Sequence, residues 1–240
     1  MYENAITHEF LFDGRKAIVI EPKVPANGRW LWKAEYFDAF PNFEEAMVEK
    51  GYHVCYIEND NRWATPEVVE RAAAFLQYVS ETYHLEKRGV PVGMSCGGLL
   101  SAQLAIAHPE LVAVMYLDAP VLNILSIAGL GECEVLPGIW LEILNTYEFN
   151  KSSLISFRNS PIDHMDKLLE NKIPILLLYG NADKVVMYAE NGKVLYDYYT
   201  KNGGTIKAIC KSMMGHHPHG LEDPQPIIDF VEEHFYDIER

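Results

Sequence analysis

Residues 90–107 read VPVGMSCGGLLSAQLAIA. The opening run is short, apolar and rich in β-formers, the segment from 96 onward is apolar on nearly every face, and between them stands the pentapeptide Gly93-Met94-Ser95-Cys96-Gly97. By chance a GxSxG pentapeptide turns up in about one chain of this length in ten, so the motif alone decides little. Its setting decides more. A strand that turns sharply into a helix lifts the Ser95 hydroxyl out beyond the sheet edge, with glycines where neighbouring backbone would meet a Cβ. The helix behind Ser95 aims free amides and its positive dipole end at any oxyanion that develops there. The plainer reading is a serine that opens a helix after a glycine turn.

Outward from this segment the chain alternates. Short apolar runs at 53–58, 90–95, 111–120, 174–180 and 205–211 have the composition of buried parallel strands. Helical periodicity separates them. Residues 42–50 end at Gly51, and residues 66–85 place Val69, Ala72, Leu76, Val79 and Tyr83 on one stripe, behind Thr65 as cap and Pro66 in the first turn. The segment 96–107 reads as a buried central helix, and 226–238 as a closing helix with Ile227, Val231, Phe235 and Ile238 in register. At the start, 7–12 and 16–20 flank Asp13-Gly14, the signature of a tight hairpin. This predicts an α/β fold with a mostly parallel sheet, helices on both faces and an antiparallel hairpin at the amino end. Residues 121–171 break the rhythm with short helical pieces and no strand, and are expected to form a small cap inserted into a single domain spanning 1–240.

A serine hydroxyl attacks only when a base takes its proton, so a histidine oriented by a carboxylate is expected on later strands. After the run ending at Gly180 comes Asp183, and after the run ending at Lys211 come His216, His217 and His219. Serine, aspartate and histidine, 88 and 33 residues apart, follow one another just beyond successive parallel strands. Asp118 and Asp163 are rival acids, because aspartate often closes loops at strand ends. Three close histidines also raise a metal site, but no HxxxH pair on a helix and no cysteine pair accompany them, so no metal is expected.

From Lys16 onward the sequence resembles the α/β-hydrolase fold family, on the strength of GMSCGG, the acid loop GNADKVV and the histidine segment GHHPHGLEDPQPIIDF. The last also resembles a group of uncharacterised bacterial carboxylic ester hydrolases. The resemblance implies a serine hydrolase with catalytic Ser95, Asp183 and His216, since in such enzymes the base directly follows a glycine; His217 is the next choice. It also implies an oxyanion hole built from the amide of Cys96 and one from the loop after an early strand. That loop, read as residues 21–37, lacks the usual His-Gly signature, and Trp30 or Leu31 is the expected second donor. Trp32 and Trp140 are expected to line the substrate pocket, together with Ile124, Leu125, Ile127, Leu130 and Leu141 of the cap. Cys96 itself, at a helix amino terminus, is a rival nucleophile, but the motif turns its side chain away from the apex.

With 20 basic against 34 acidic residues the net charge is −14, which repels phosphodiester backbones and anionic lipid, so neither nucleic acid nor membrane is an expected partner. Four dispersed cysteines without a CxxC pair suit a reducing compartment, and the first residues offer neither a signal peptide nor a membrane span. A cytoplasmic enzyme without cofactor, hydrolysing a small carboxylic ester through an acyl-enzyme on Ser95, is the leading expectation. A peptidase, amidase or acyltransferase with the same triad comes second, and a non-catalytic binding protein third.

Overall fold

The computed structural model describes residues 2, 3 and 5–237. Eight strands form one sheet in the order β1-β2-β4-β3-β5-β6-β7-β8. They are β1 (Ala5–Phe12), β2 (Arg15–Pro22), β3 (Trp30–Lys33), β4 (His53–Ile57), β5 (Val90–Met94), β6 (Met115–Asp118), β7 (Ile175–Gly180) and β8 (Ile206–Lys211). Pairing from β4 to β8 through β3 is parallel, while β2 runs antiparallel to both β1 and β4. Asp13 and Gly14 turn the opening hairpin with φ of 49° and 74°, the positive values that an Asp-Gly pair accepts at low cost.

The parallel strands are apolar on both faces because both are covered. In β7, Ile175 and Leu177 enter one core and Leu176 and Leu178 the other, the period of two that a pleated strand imposes. The first core takes α2 (Pro66–Thr82), α3 (Cys96–Ala107), α6 (Met165–Glu170) and α7 (Gly192–Asn202); the second takes α1 (Asn42–Glu49) and α8 (Gln225–His234). Residues 121–171 lie between β6 and β7 and hold α4 (Ile139–Thr146), α5 (Lys151–Ile155), α6 and short turns, with no strand.

Three details differ from expectation. The run 111–120 yields only a four-residue strand, because Pro109–Leu111 is a helical turn and Ala119 leaves the sheet with φ of 44°. Thr65 precedes α2 but makes no side-chain cap; its hydroxyl accepts from Asn61 Nδ2 at 3.3 Å instead. Residues 30–33 are a strand and not part of a loop. In the closing helix Ile227, Val231 and Phe235 are buried as expected, while Ile238 lies outside the described residues.

Candidate active site

All the parallel strands point their carboxyl ends to one edge, and the chemistry-bearing residues collect there. Ser95 sits between β5 and α3 with φ 52° and ψ −120°, a left-handed conformation imposed on a non-glycine residue. Its surroundings hold it: the Ser95 amide donates to the Asp118 carbonyl at 3.0 Å, and its own carbonyl accepts from Gly98 at 2.9 Å and Val121 at 2.9 Å. The glycines are needed where the turn closes on itself. A Cβ on Gly93 would stand 2.7 Å from Gly98 Cα, and one on Gly98 would stand 2.8 Å from Pro120 Cα.

Three distant loops then meet. His216 Nε2 lies 3.0 Å from Ser95 Oγ, and His216 Nδ1 lies 2.8 Å from Asp183 Oδ2. The other carboxylate oxygen, Asp183 Oδ1, accepts from the amides of Val185 at 2.8 Å and Val186 at 3.0 Å. Burial raises the Asp183 pKa, but the His216 bond and these two amides outweigh it, and the carboxyl is held below its usual range. Among the three crowded histidines, therefore, it is His216 that bridges serine and acid. His217 stacks over Phe40, with ring centroids 5.9 Å apart, and His219 packs edge-on to the same ring.

The rival acids do other things. Asp118, wholly buried at the end of β6, accepts from Lys211 Nζ at 2.9 and 3.1 Å and from the amide of Gly220, and faces His219 Nδ1 at 3.5 Å. Lys211 also donates to the Pro218 carbonyl at 2.9 Å. This cluster ties the segment carrying His216 back onto the sheet from its far end. Burial again works against the charge on Asp118, and His219 and Lys211 more than compensate, so its pKa is lowered. Asp163 reaches back to the Ser160 amide at 3.0 Å and closes a local turn.

Several expectations about the pocket are corrected. Trp30 is wholly buried at the amino end of β3, its indole donating to the Glu86 carbonyl at 2.7 Å. Three residues of strand separate it from the edge that carries Ser95, roughly 10 Å, so Trp30 is no oxyanion donor; Leu31, inside the strand, fares no better. Trp32 is likewise wholly buried in the sheet-to-helix core, and Trp140 is half-buried against that core without lining the cavity. Ile124 is core, and Leu130 and Leu141 face outward; of the expected cap residues only Ile127 lines the cavity. Cys96 lines it too, but burial pushes its thiol up to about 11, so it stays protonated.

The cavity itself, about 410 Å³, is bounded by Ser95, Cys96 and His216 on one side, by Tyr36, Phe40 and Arg62, and by Ile127, Leu136 and Ile139 from the segment after β6. Tyr36 is the residue missed from sequence. It lies three positions beyond β3, in the left-handed region with φ of 56°, and its phenol sits beside the Cys96 thiol. Recognition of Trp30–Lys33 as a strand would have moved the loop of interest to 34–40. The turn signal Asn27-Gly28 before two tryptophans was the available cue.

The fold and the contact between Ser95, His216 and Asp183 define a protein of the α/β-hydrolase class with the constellation of a serine hydrolase. Residues 50–237 match the model of the prolyl oligopeptidase family, peptidase family S9, and the chain belongs to that family. Among solved structures it is similar to the Pyrococcus horikoshii acylaminoacyl peptidase, with TM-score 0.76 and 13% identity over 99% of this chain and 44% of that one. A puromycin hydrolase matches with TM-score 0.73 and 17% identity, over 98% of this chain and 39% of its own. A puromycin-hydrolyzing peptidase of Mycobacterium tuberculosis gives 0.72 and 14%, over 98% and 39%. At these identities the likeness is one of fold, and the chain spans less than half the length of these structures. No curated protein matches the chain. Among the described residues no helix is long and apolar enough to cross a membrane.

Proposed function

We propose that the protein hydrolyses an amide or peptide bond through an acyl-enzyme on Ser95, with His216 as general base and acid and Asp183 as its orienting carboxylate. The observation that carries the reading is the unbroken chain of contacts from Asp183 Oδ2 through His216 to Ser95 Oγ, at 2.8 and 3.0 Å. Ser95 gives its proton to Nε2 as it attacks the acyl carbon; the imidazolium, stabilised by Asp183, returns it to the leaving amine; water then repeats the cycle. The amide of Cys96, first residue of α3, supplies one oxyanion donor, and the phenol of Tyr36, beside the Cys96 side chain, supplies the second.

The choice of amide over ester reverses the leading expectation from sequence. The family is one of peptidases, and its solved neighbours include acylaminoacyl and puromycin-hydrolysing enzymes, which favours the second reading given above. The apolar wall formed by Ile127, Leu136, Ile139 and Val185 suits an apolar side chain on the acyl residue, with residues 121–171 acting as a cap that sets selectivity.

The test pairs a fluorophosphonate probe with two substrate series, aminoacyl anilides and short-chain nitrophenyl esters, on wild type, Ser95→Ala, His216→Ala and His217→Ala. Wild type is expected to be labelled and to cleave anilides with an apolar acyl residue. Ser95→Ala should lose labelling altogether, and His216→Ala should lose orders of magnitude more turnover than His217→Ala. Cleavage of esters with no anilide turnover would return the ester reading to first place.

A further inference from the structure

Three imidazoles crowd the loop after β8, and the proposed reaction uses one. The rings of His216, His217 and His219 lie edge-to-face in every pairing, with centroids 4.9, 5.0 and 5.0 Å apart. One ring nitrogen of each lies within 4.8 Å of those of the other two. Imidazoles bound to a single tetrahedral ion through metal–nitrogen bonds of about 2.1 Å have centroids roughly 5 Å apart and ligating nitrogens roughly 3.4 Å apart. The rings therefore stand near the spacing of a three-histidine site, and small rotations bring their nitrogens, now within 4.8 Å, onto one ion. The absence of an HxxxH pair, which argued against a metal, concerns helical spacing only; a turn reaches the same result with HHxH.

A second, independent feature points the same way. A ligating histidine is normally oriented by a carboxylate on its other ring nitrogen. Two of these three have one: Asp183 at 2.8 Å from His216 Nδ1, and Asp118 at 3.5 Å from His219 Nδ1, both carboxylates being buried. His219 Nδ1 is buried, with Asp118 as the group it faces. A metal on the opposite nitrogen would fix the tautomer in which Nδ1 carries a proton toward Asp118. All three rings line the cavity that reaches Ser95, which gives a hydrated ion its way in. An all-imidazole donor set suits zinc and its transition-metal neighbours, not magnesium or calcium, which seek oxygen.

We propose that His216, His217 and His219 form a transition-metal site that takes Zn²⁺ and that its occupation reversibly silences the enzyme. The silencing rests on His216 being the base. Coordination through Nε2 commits the lone pair that otherwise faces Ser95 Oγ at 3.0 Å, so the imidazole accepts no proton and the serine remains a neutral alcohol.

The full chain carrying Cys210→Ser, which removes the exposed thiol as a competing ligand, is titrated with zinc chloride and followed by calorimetry and by anilide turnover. One zinc per chain is expected, with turnover lost as the site fills and restored by EDTA. His217→Gln and His219→Gln should each raise the zinc concentration for half-inhibition at least about tenfold. His217 is exposed, so its variant keeps the test informative if the buried His219 variant unfolds. No calorimetric binding, binding with turnover unchanged, or equal inhibition of His217→Gln and the parent would overturn the proposal. Failure of the catalytic reading looks different: Ser95 then goes unlabelled in zinc-free buffer, while calorimetry still reports on the metal site.

Discussion

Asp118 ends β6 and Asp183 lies just beyond the neighbouring β7; both carboxyls are held below their usual range, and the environment gives them separate work. Asp183 spends one oxygen on two backbone amides and the other on His216. Asn in its place keeps an oxygen for the amides but loses the acceptor that sets the imidazole tautomer. Asp183→Asn should therefore melt close to wild type while kcat falls by about 10⁴, read from thermal unfolding and anilide kinetics together. For Asp118 the balance is reversed. Asp118→Asn leaves the Lys211 ammonium, almost fully buried, without its counter-charge, and should cost about 3 to 5 kcal/mol in urea unfolding at neutral pH. Both carboxyls have lower pKa values folded than unfolded, so in the acid range the unfolded chain binds more protons. Their stabilisation is complete above the ordinary carboxylate range and disappears as pH falls through the folded values. The gap between wild type and Asp118→Asn should narrow accordingly when unfolding is repeated at progressively lower pH.

At the scale of elements, β3 is the strand on which the site depends and the one that sequence periodicity conceals. It is four residues long and ends in a lysine, which reads as solvent-facing. Lys33 is instead wholly buried, paired with the equally buried Glu44 of α1, and it donates to the Ala39 carbonyl at 3.0 Å. That last bond pins the loop 34–40, which brings Tyr36, Ala39 and Phe40 to the cavity. Lys33→Met alone should cost about 3 to 5 kcal/mol, because the buried Glu44 carboxyl is left without its partner. The double variant Lys33→Met/Glu44→Leu should recover most of that loss in urea unfolding, since matched apolar groups replace both charges. Turnover is expected to stay low in the double variant if the loop has lost its anchor.

Across the whole molecule, the segment 121–171 is joined to the body partly by a two-point ion pair, Arg62 Nε and Nη2 to the Glu142 carboxylate at 3.0 and 2.6 Å. Its good geometry suggests a clasp, but the side chains are 38% and 40% exposed, and solvent screens such pairs. Glu142→Ala should change stability by less than about 1 kcal/mol in urea unfolding; the buried Ile127, Ile139, Ile143 and Leu154 hold the segment instead. The α/β-hydrolase fold class was legible from sequence because it rests on local signals, whereas the peptidase family was not: the leading expectation from sequence is an ester hydrolase. A parallel strand buried on both faces must be continuously apolar, a tight hairpin needs Asp-Gly, and a nucleophile turn between strand and helix needs glycine where backbones nearly touch. The order Ser95, Asp183, His216 was readable for the same reason, each residue lying a few positions past its own strand. What periodicity could not supply was anything decided by contact between distant segments: that Asp118 serves Lys211 rather than His216, that Trp30, Trp32 and Lys33 turn inward, and that Tyr36 reaches the cavity. Those outcomes depend on how strands stack side by side and which charges find partners in the core, and burial energies of this kind exist only once the whole sheet has closed.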